Sequence, residues 1–146
     1  MRIPESMVAQ VMDYVANKGH ALPLYSCSVA AGFPSPADDH LEDKLDLNAH
    51  LIQHPTATFF VRVSGDSMIE AGIFPDDILV VDRSLEPRHG KIVVAAVEGQ
   101  LTVKRLHKSG NQVRLMPANP KFSAITIANP DDLMIWGVVT TVLHQV

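Results

Sequence analysis

The chain has 146 residues, enough for one sizeable hydrophobic core, alone or with an arm, and too few for two ordinary domains. Apolar residues at 47% and charged residues at 19% are the balance of a folded protein, and with aromatics at 5% the core must be built from Val, Ile, Leu, Ala and Met. With a net charge of −4 and no block of Lys or Arg, the chain lacks the electrostatic footprint expected of a stand-alone DNA binder. A local basic patch stays open, but work near DNA is expected to go through a partner. Cys27 is the only cysteine and has no internal disulfide partner, which fits a reducing compartment. The N-terminal residues lack the apolar run of a signal peptide, and no stretch approaches the roughly 20 apolar residues of a membrane span. A cytoplasmic protein is expected, with no membrane contact.

Residues 1 to 56 are broken by prolines and polar runs. Ser6 is placed to cap a short helix carrying Val8, Val11, Met12 and Val15 on one face, ended by Gly19. Pro23, Pro34 and Pro36 then exclude a continuous helix and favour extended backbone. Small residues dominate Ser26 to Gly32, a segment that packs little and is drawn into an extended shape at low cost. From Ala37 to Ile52, Leu41, Leu45, Leu47 and Leu51 recur among Asp and Glu, which predicts one or two short surface helical turns.

From residue 57 the pattern changes to closely spaced β-branched strands. Strands are predicted over residues 58–63, 78–82, 91–97, 101–106, 112–116, 124–128 and 134–143. Glu98-Gly99-Gln100 reads as a hairpin signal, and Ser109-Gly110-Asn111 as a turn. The fold class is therefore mainly β, a compact antiparallel barrel or sandwich. No internal repeat or low-complexity tract is present.

Chemistry points first to Ser64-Gly65-Asp66-Ser67-Met68, where a strand runs into a glycine turn with a serine just beyond it. A nucleophilic serine needs such a turn to present its hydroxyl beside backbone N–H groups left free for an oxyanion. The alternative is an ordinary loop serine. In Leu101 to Leu106, alternation places Thr102, Lys104 and Leu106 on one face and Leu101, Val103 and Arg105 on the other. Either face carries one cation. Lys104 either snorkels to water, as strand lysines usually do, or is buried beside Ser67, where desolvation lowers its pKa and lets the amine act as a base. The sequence leaves both readings open.

A histidine–carboxylate arrangement competes weakly. His89, His107 and His144 lie in the β region with Asp66, Asp77 and Asp82 as candidate partners, but His89 sits in a turn and His107 at a strand end before one. Metal binding is weaker still: Cys-x-x-Cys and His-Glu-x-x-His are missing, and His50 with His54 is a lone pair before Pro55. No phosphate-cradling glycine motif occurs. Neither a metal nor another cofactor is expected.

Ser64-Gly-Asp-Ser-Met68 followed by Thr102-Val-Lys-Arg-Leu106 resembles the catalytic pair of the LexA/UmuD self-cleaving serine peptidases. Ala31 to Ala37, Asp46-Leu-Asn48, Leu51 to Pro55 and Gly90 to Val97 extend the likeness over roughly Leu22 to Val142. The resemblance implies a fold of the LexA C-terminal-domain type with a mobile N-terminal arm, with Ser67 as nucleophile and Lys104 as base. It implies scission of the Ala31–Gly32 bond of the chain itself, dividing arm 1–31 from a catalytic and dimerisation domain 32–146. Val29-Ala-Ala-Gly32 is close to the LexA form of the site, whereas UmuD is usually written with cysteine before the glycine. A small, extended segment also suits a strand added along a cleft. The resemblance further implies a homodimer, a RecA–single-stranded DNA filament as trigger in the SOS response to DNA damage, and a UmuC-type translesion polymerase subunit as partner. Three rivals are a LexA-like repressor fragment, a membrane signal peptidase and an unreactive β-domain binding subunit. The repressor needs a DNA-binding head, and residues 1–31 offer one helix and no helix-turn-helix; the signal peptidase needs an anchor. Self-cleavage discriminates the binding subunit.

Overall fold

The computed structural model of the protein describes residues 20–25 and 41–146. The expected helix after Ser6, Cys27 and the Ala31–Gly32 bond lie outside these residues. The chain divides into two units, Met1–Gln53 and His54–Val146.

In the first unit, β1 (Ala21–Tyr25) pairs antiparallel with β2 (Leu41–Asp46), with Tyr25 opposite Leu41 at one end and Ala21 opposite Asp46 at the other. Pro23 donates no backbone hydrogen bond, so it suits a strand with only one neighbour. The single-turn helix α1 (Leu47–Leu51) follows, capped by the Asp46 carboxylate, which accepts from the N–H of Asn48 at 3.0 Å and Ala49 at 3.4 Å. Among the described residues, the helical expectation for Ala37 to Ile52 thus holds only for α1. Residues 41–46 form a strand, because pairing with β1 satisfies their backbone while the leucine spacing settles nothing over so short a run.

The second unit is one antiparallel sheet. Its strands are β3 (Thr58–Arg62), β4 (Ile78–Asp82), β5 (Ile92–Val97), β6 (Gln100–Ser109), β7 (Gln112–Met116), β8 (Ile125–Ile127) and β9 (Leu133–Leu143), in the order β3-β4-β9-β5-β6-β7-β8. This bears out the mainly β, antiparallel expectation. β5 and β6 are joined by the two-residue turn Glu98-Gly99, with Val97 opposite Gln100. The long β9 binds the two halves, pairing with β4 through Val138–Leu143 and with β5 through Leu133–Val138. At Gly137 a Cβ would stand 2.7 Å from Val81 Cγ1 and 3.0 Å from the Asp82 carbonyl oxygen, so only glycine lets β9 cross β4 this closely.

Two cores result. Val63, Met68, Ile73, Leu79, Val81 and Val94 form one. Val93, Ala95, Leu106, Leu115 and Val138 form the other. Adjacent residues of β5 feed different cores, as the alternation of a strand requires when both faces are covered. No helix among the described residues is long and apolar enough to cross a membrane.

Candidate active site

After β3 the chain turns through Ser64, Gly65 and Asp66. Gly65 has φ +80°, a left-handed conformation that side-chain-bearing residues adopt at a cost. The turn is anchored beyond Ser67 by Met68 and Ile73, each 1% exposed in the first core. Between the anchor and the turn, Ser67 is held half-buried at the surface of the unit.

Lys104 faces it from β6. The side chains of Lys104 and Leu106 are buried while that of Arg105 is exposed, so the strand turns its Thr102–Lys104–Leu106 face inward. Lys104 does not snorkel. Its Nζ donates to Ser67 Oγ at 3.1 Å, Thr102 Oγ1 at 2.7 Å and the Val103 carbonyl at 3.1 Å. Lys104 is 8% exposed, and no carboxylate pairs with it among the described residues. Burial without a counter-ion disfavours the ammonium, and the amine's pKa is held below its ordinary value. In its neutral form this amine offers a lone pair within hydrogen-bond reach of a serine hydroxyl.

The pair opens onto a cleft of about 260 Å³ whose walls include Val61–Ser64 and Leu101–Val103. Both walls are strand edges. β3 terminates the sheet, and β7 pairs with β6 only from Arg105 onward, opposite Met116. The Leu106 N–H and carbonyl bond Lys91 and Gly90 on the β5 side, so by alternation the amides of Val103 and Leu101 point the other way, toward the cleft. The cleft thus combines the hydrogen-bonded Ser67–Lys104 pair with backbone groups suited to an added strand.

The turn is also strapped from behind. The Ala118 N–H donates to the Ser67 carbonyl at 2.8 Å, and the Glu70 N–H to the Ala118 carbonyl at 2.8 Å. Asn119, 6% exposed, donates from Nδ2 to the Asp66 carbonyl at 2.9 Å. Among the described residues no backbone carbonyl accepts the N–H of Ser67 or Met68. Sequence reasoning missed Thr102, Ala118 and Asn119 as members of this site. Only the turn-forming Asn119-Pro120 dipeptide hinted at a structured segment there.

No histidine is among the described residues lining this cleft. His144 Nδ1 meets Asp77 Oδ1 at 2.5 Å, and His54 Nδ1 meets Asp82 Oδ2 at 2.6 Å. Burial pushes both carboxyls up. Hydrogen bonds from the Phe74 N–H and His144 to Asp77, and from Ser84 and His54 to Asp82, outweigh it and hold each below the usual range. His50 is exposed on α1. His89 is exposed as expected and its Nδ1 accepts the Lys108 N–H at 3.0 Å. His107 corrects the expectation of a solvated strand end: β6 runs on to Ser109, leaving His107 half-buried against His89 with ring centroids 4.9 Å apart. Asp66 contributes its backbone to the turn.

The second unit is a mainly antiparallel β fold that holds a buried lysine against a serine at the edge of a cleft. The profile of Peptidase S24-like proteins matches residues 23–140, and the chain belongs to that family. It is 46% identical over 123 residues to Protein SamA of Salmonella typhimurium, covering 84% of this chain and 85% of that protein. It is 43% identical over 139 residues to Protein ImpA of Escherichia coli, covering 91% and 90%. With the LexA repressor of Bordetella parapertussis it shares 39% identity over 116 residues, which is 80% of this chain and 53% of that protein.

Proposed function

We propose that the protein is a self-cleaving serine peptidase that cuts its own Ala31–Gly32 bond, with Ser67 as nucleophile and Lys104 as general base. The observation that carries this reading is the 3.1 Å contact between Lys104 Nζ and Ser67 Oγ, made by a buried amine whose pKa is lowered. The neutral amine takes the hydroxyl proton as Oγ attacks the Ala31 carbonyl carbon. The same proton goes to the departing Gly32 nitrogen, leaving Ala31 esterified to Ser67. Water, deprotonated by Lys104, then releases the Ala31 carboxylate and restores the hydroxyl.

The composition of the substrate segment supports this reading. Small residues dominate Ser26 to Gly32, so the segment packs little and is drawn out at low cost into the extended form that an added strand along a cleft requires. By family likeness, residues 1–31 are the arm lost on cleavage and residues 32–146 the retained domain. The protein acts as a cytoplasmic homodimer, cleavage is promoted by a RecA–single-stranded DNA filament, and the processed dimer joins a UmuC-type subunit in translesion DNA synthesis. Contact with DNA goes through these partners.

The test is mass spectrometry of the purified chain after incubation at alkaline pH, alone and with RecA filaments. Fragments ending at Ala31 and starting at Gly32, lost in Ser67→Ala and Lys104→Ala, are the expected result. An intact chain under both conditions refutes the proposal.

A further inference from the structure

We infer that Asn119 is a positioning residue for this chemistry, aiming the backbone N–H of Ser67 at the oxyanion; the inference deepens the peptidase reading and rests on it. In a trans peptide unit the carbonyl and the following N–H lie in one plane and point in opposite directions. Whatever grips the Asp66 carbonyl therefore sets the direction of the Ser67 N–H. Whatever grips the Ser67 carbonyl sets the Met68 N–H.

Both carbonyls are gripped by one segment. Asn119 Nδ2 takes the Asp66 oxygen at 2.9 Å, and the Ala118 N–H takes the Ser67 oxygen at 2.8 Å. Among the described residues the remaining backbone donor to the Asp66 oxygen is the Ile69 N–H at 3.4 Å, a long contact that holds the plane weakly. The carboxamide is itself fixed, because Oδ1 accepts the Lys121 N–H at 3.0 Å and the residue is 6% exposed. The Asn119 carbonyl in turn accepts the Phe122 N–H at 3.1 Å, closing the loop around it.

The consequence is a preorganised donor on the nucleophilic residue itself, the Ser67 N–H. The N–H groups of Ser67 and Met68, unclaimed by any backbone carbonyl among the described residues, are the two peptide planes that the 118–119 segment orients. Donors fixed before the reaction need no reorganisation as the carbonyl oxygen gains charge, and removal of one such donor typically slows acyl transfer about 10²–10³-fold. Asn119 touches neither Ser67 Oγ nor Lys104, so it acts through the turn alone.

Asn119→Asp isolates this role. It keeps the shape and the acceptor for the Lys121 N–H and removes the donor to the Asp66 carbonyl. Full-length wild type, Asn119→Asp and Ser67→Ala are compared by self-cleavage rate over a pH series and by labelling of Ser67 with a fluorophosphonate, whose phosphoryl oxygen occupies the same oxyanion position. Thermal unfolding reports the fold. Asn119→Asp is expected to lower both the cleavage plateau and the labelling rate about 10²-fold. The pH midpoint, set by the surroundings of Lys104, stays where it is. Should Asn119→Asp unfold at the assay temperature, Asn119→Ser, uncharged and too short to reach the Asp66 carbonyl, is held to the same criteria. Wild-type rates in the folded variant overturn the inference, as does a shifted midpoint with an unchanged plateau. If wild type is labelled but not cut, the self-substrate reading fails while labelling still decides the role of Asn119. If wild type is neither labelled nor cut, both fall.

Discussion

Replacing Lys104 with methionine separates the two consequences of burying an amine. The stem length and apolar contacts are nearly kept, while the group that takes the proton is lost. Lys104 is 8% exposed, has no carboxylate partner among the described residues and holds a lowered pKa because burial penalises its charged form. Between that lowered pKa and the free value of about 10.4, the unfolded chain binds more protons than the folded one. Stability therefore rises with pH through this window, and the cost of the buried amine is felt in full below it. Each unit by which burial lowers the pKa costs about 1.36 kcal/mol at neutral pH. Lys104→Met is thus expected to stabilise the fold near neutral pH, with the gain vanishing as pH approaches about 10.4. The oxygens of Thr102 and Val103 that lose a donor face the cleft, where water replaces it. Self-cleavage is expected to fall by about 10²–10⁴-fold or more, the usual contribution of a positioned base. Urea unfolding from neutral to alkaline pH, read beside a cleavage time course, makes the test. A variant that cuts within tenfold of wild type, or one less stable than wild type at neutral pH, refutes the reasoning.

In the wild-type chain, the cleavage rate should climb about tenfold per pH unit below the amine's pKa and level off above it; a flat profile in cleavage assays across neutral and alkaline pH counts against lysine as base. Met68→Ala removes a side chain 1% exposed beneath the serine turn and should cost about 2–5 kcal/mol in denaturant unfolding, with a parallel loss of cleavage. At the acid end, Asp77 and Asp82 have lowered pKa values, so the stability they contribute is present above the usual carboxylate range and lost as pH falls through the lowered values. Asp77→Asn with Asp82→Asn should flatten the acid limb of a melting-temperature profile, and an unchanged limb would assign acid unfolding elsewhere. Finally, cutting between residues 31 and 32 leaves the five-residue strand β1 on the 1–31 fragment and its partner β2 on the 32–146 fragment. A two-stranded ladder is marginal once intermolecular, so the 1–31 fragment should separate from 32–146 on gel filtration at micromolar concentration.

The sequence by itself determined the β character, because β-branched runs separated by Gly, Asn and Asp turns admit no helical period. Strands over 78–82 and 112–116 were legible to the residue. It also offered Ser67, just past a glycine turn, and Lys104, in mid-strand, as candidates, and the family resemblance joined them as a pair. Local pattern left other matters open. Over residues 41–46, leucine spacing suits a helix or a strand, and the partner strand β1 decides. Asn119 is far from Ser67 in sequence, and only the fold lays the 118–119 segment against the turn. His54 and His144 carry no local sign of the buried carboxylates they meet. The inward face of β6 is the clearest case. Alternation offers Lys104 and Arg105 equally, one cation to each face. The choice falls to Lys104 because Leu106 on the same face packs with Val93 and Leu115, while Arg105 reaches the Gly90 carbonyl on the outside. Burial of Leu106 sets the face, and Lys104, two residues away on the same face, is turned inward with it.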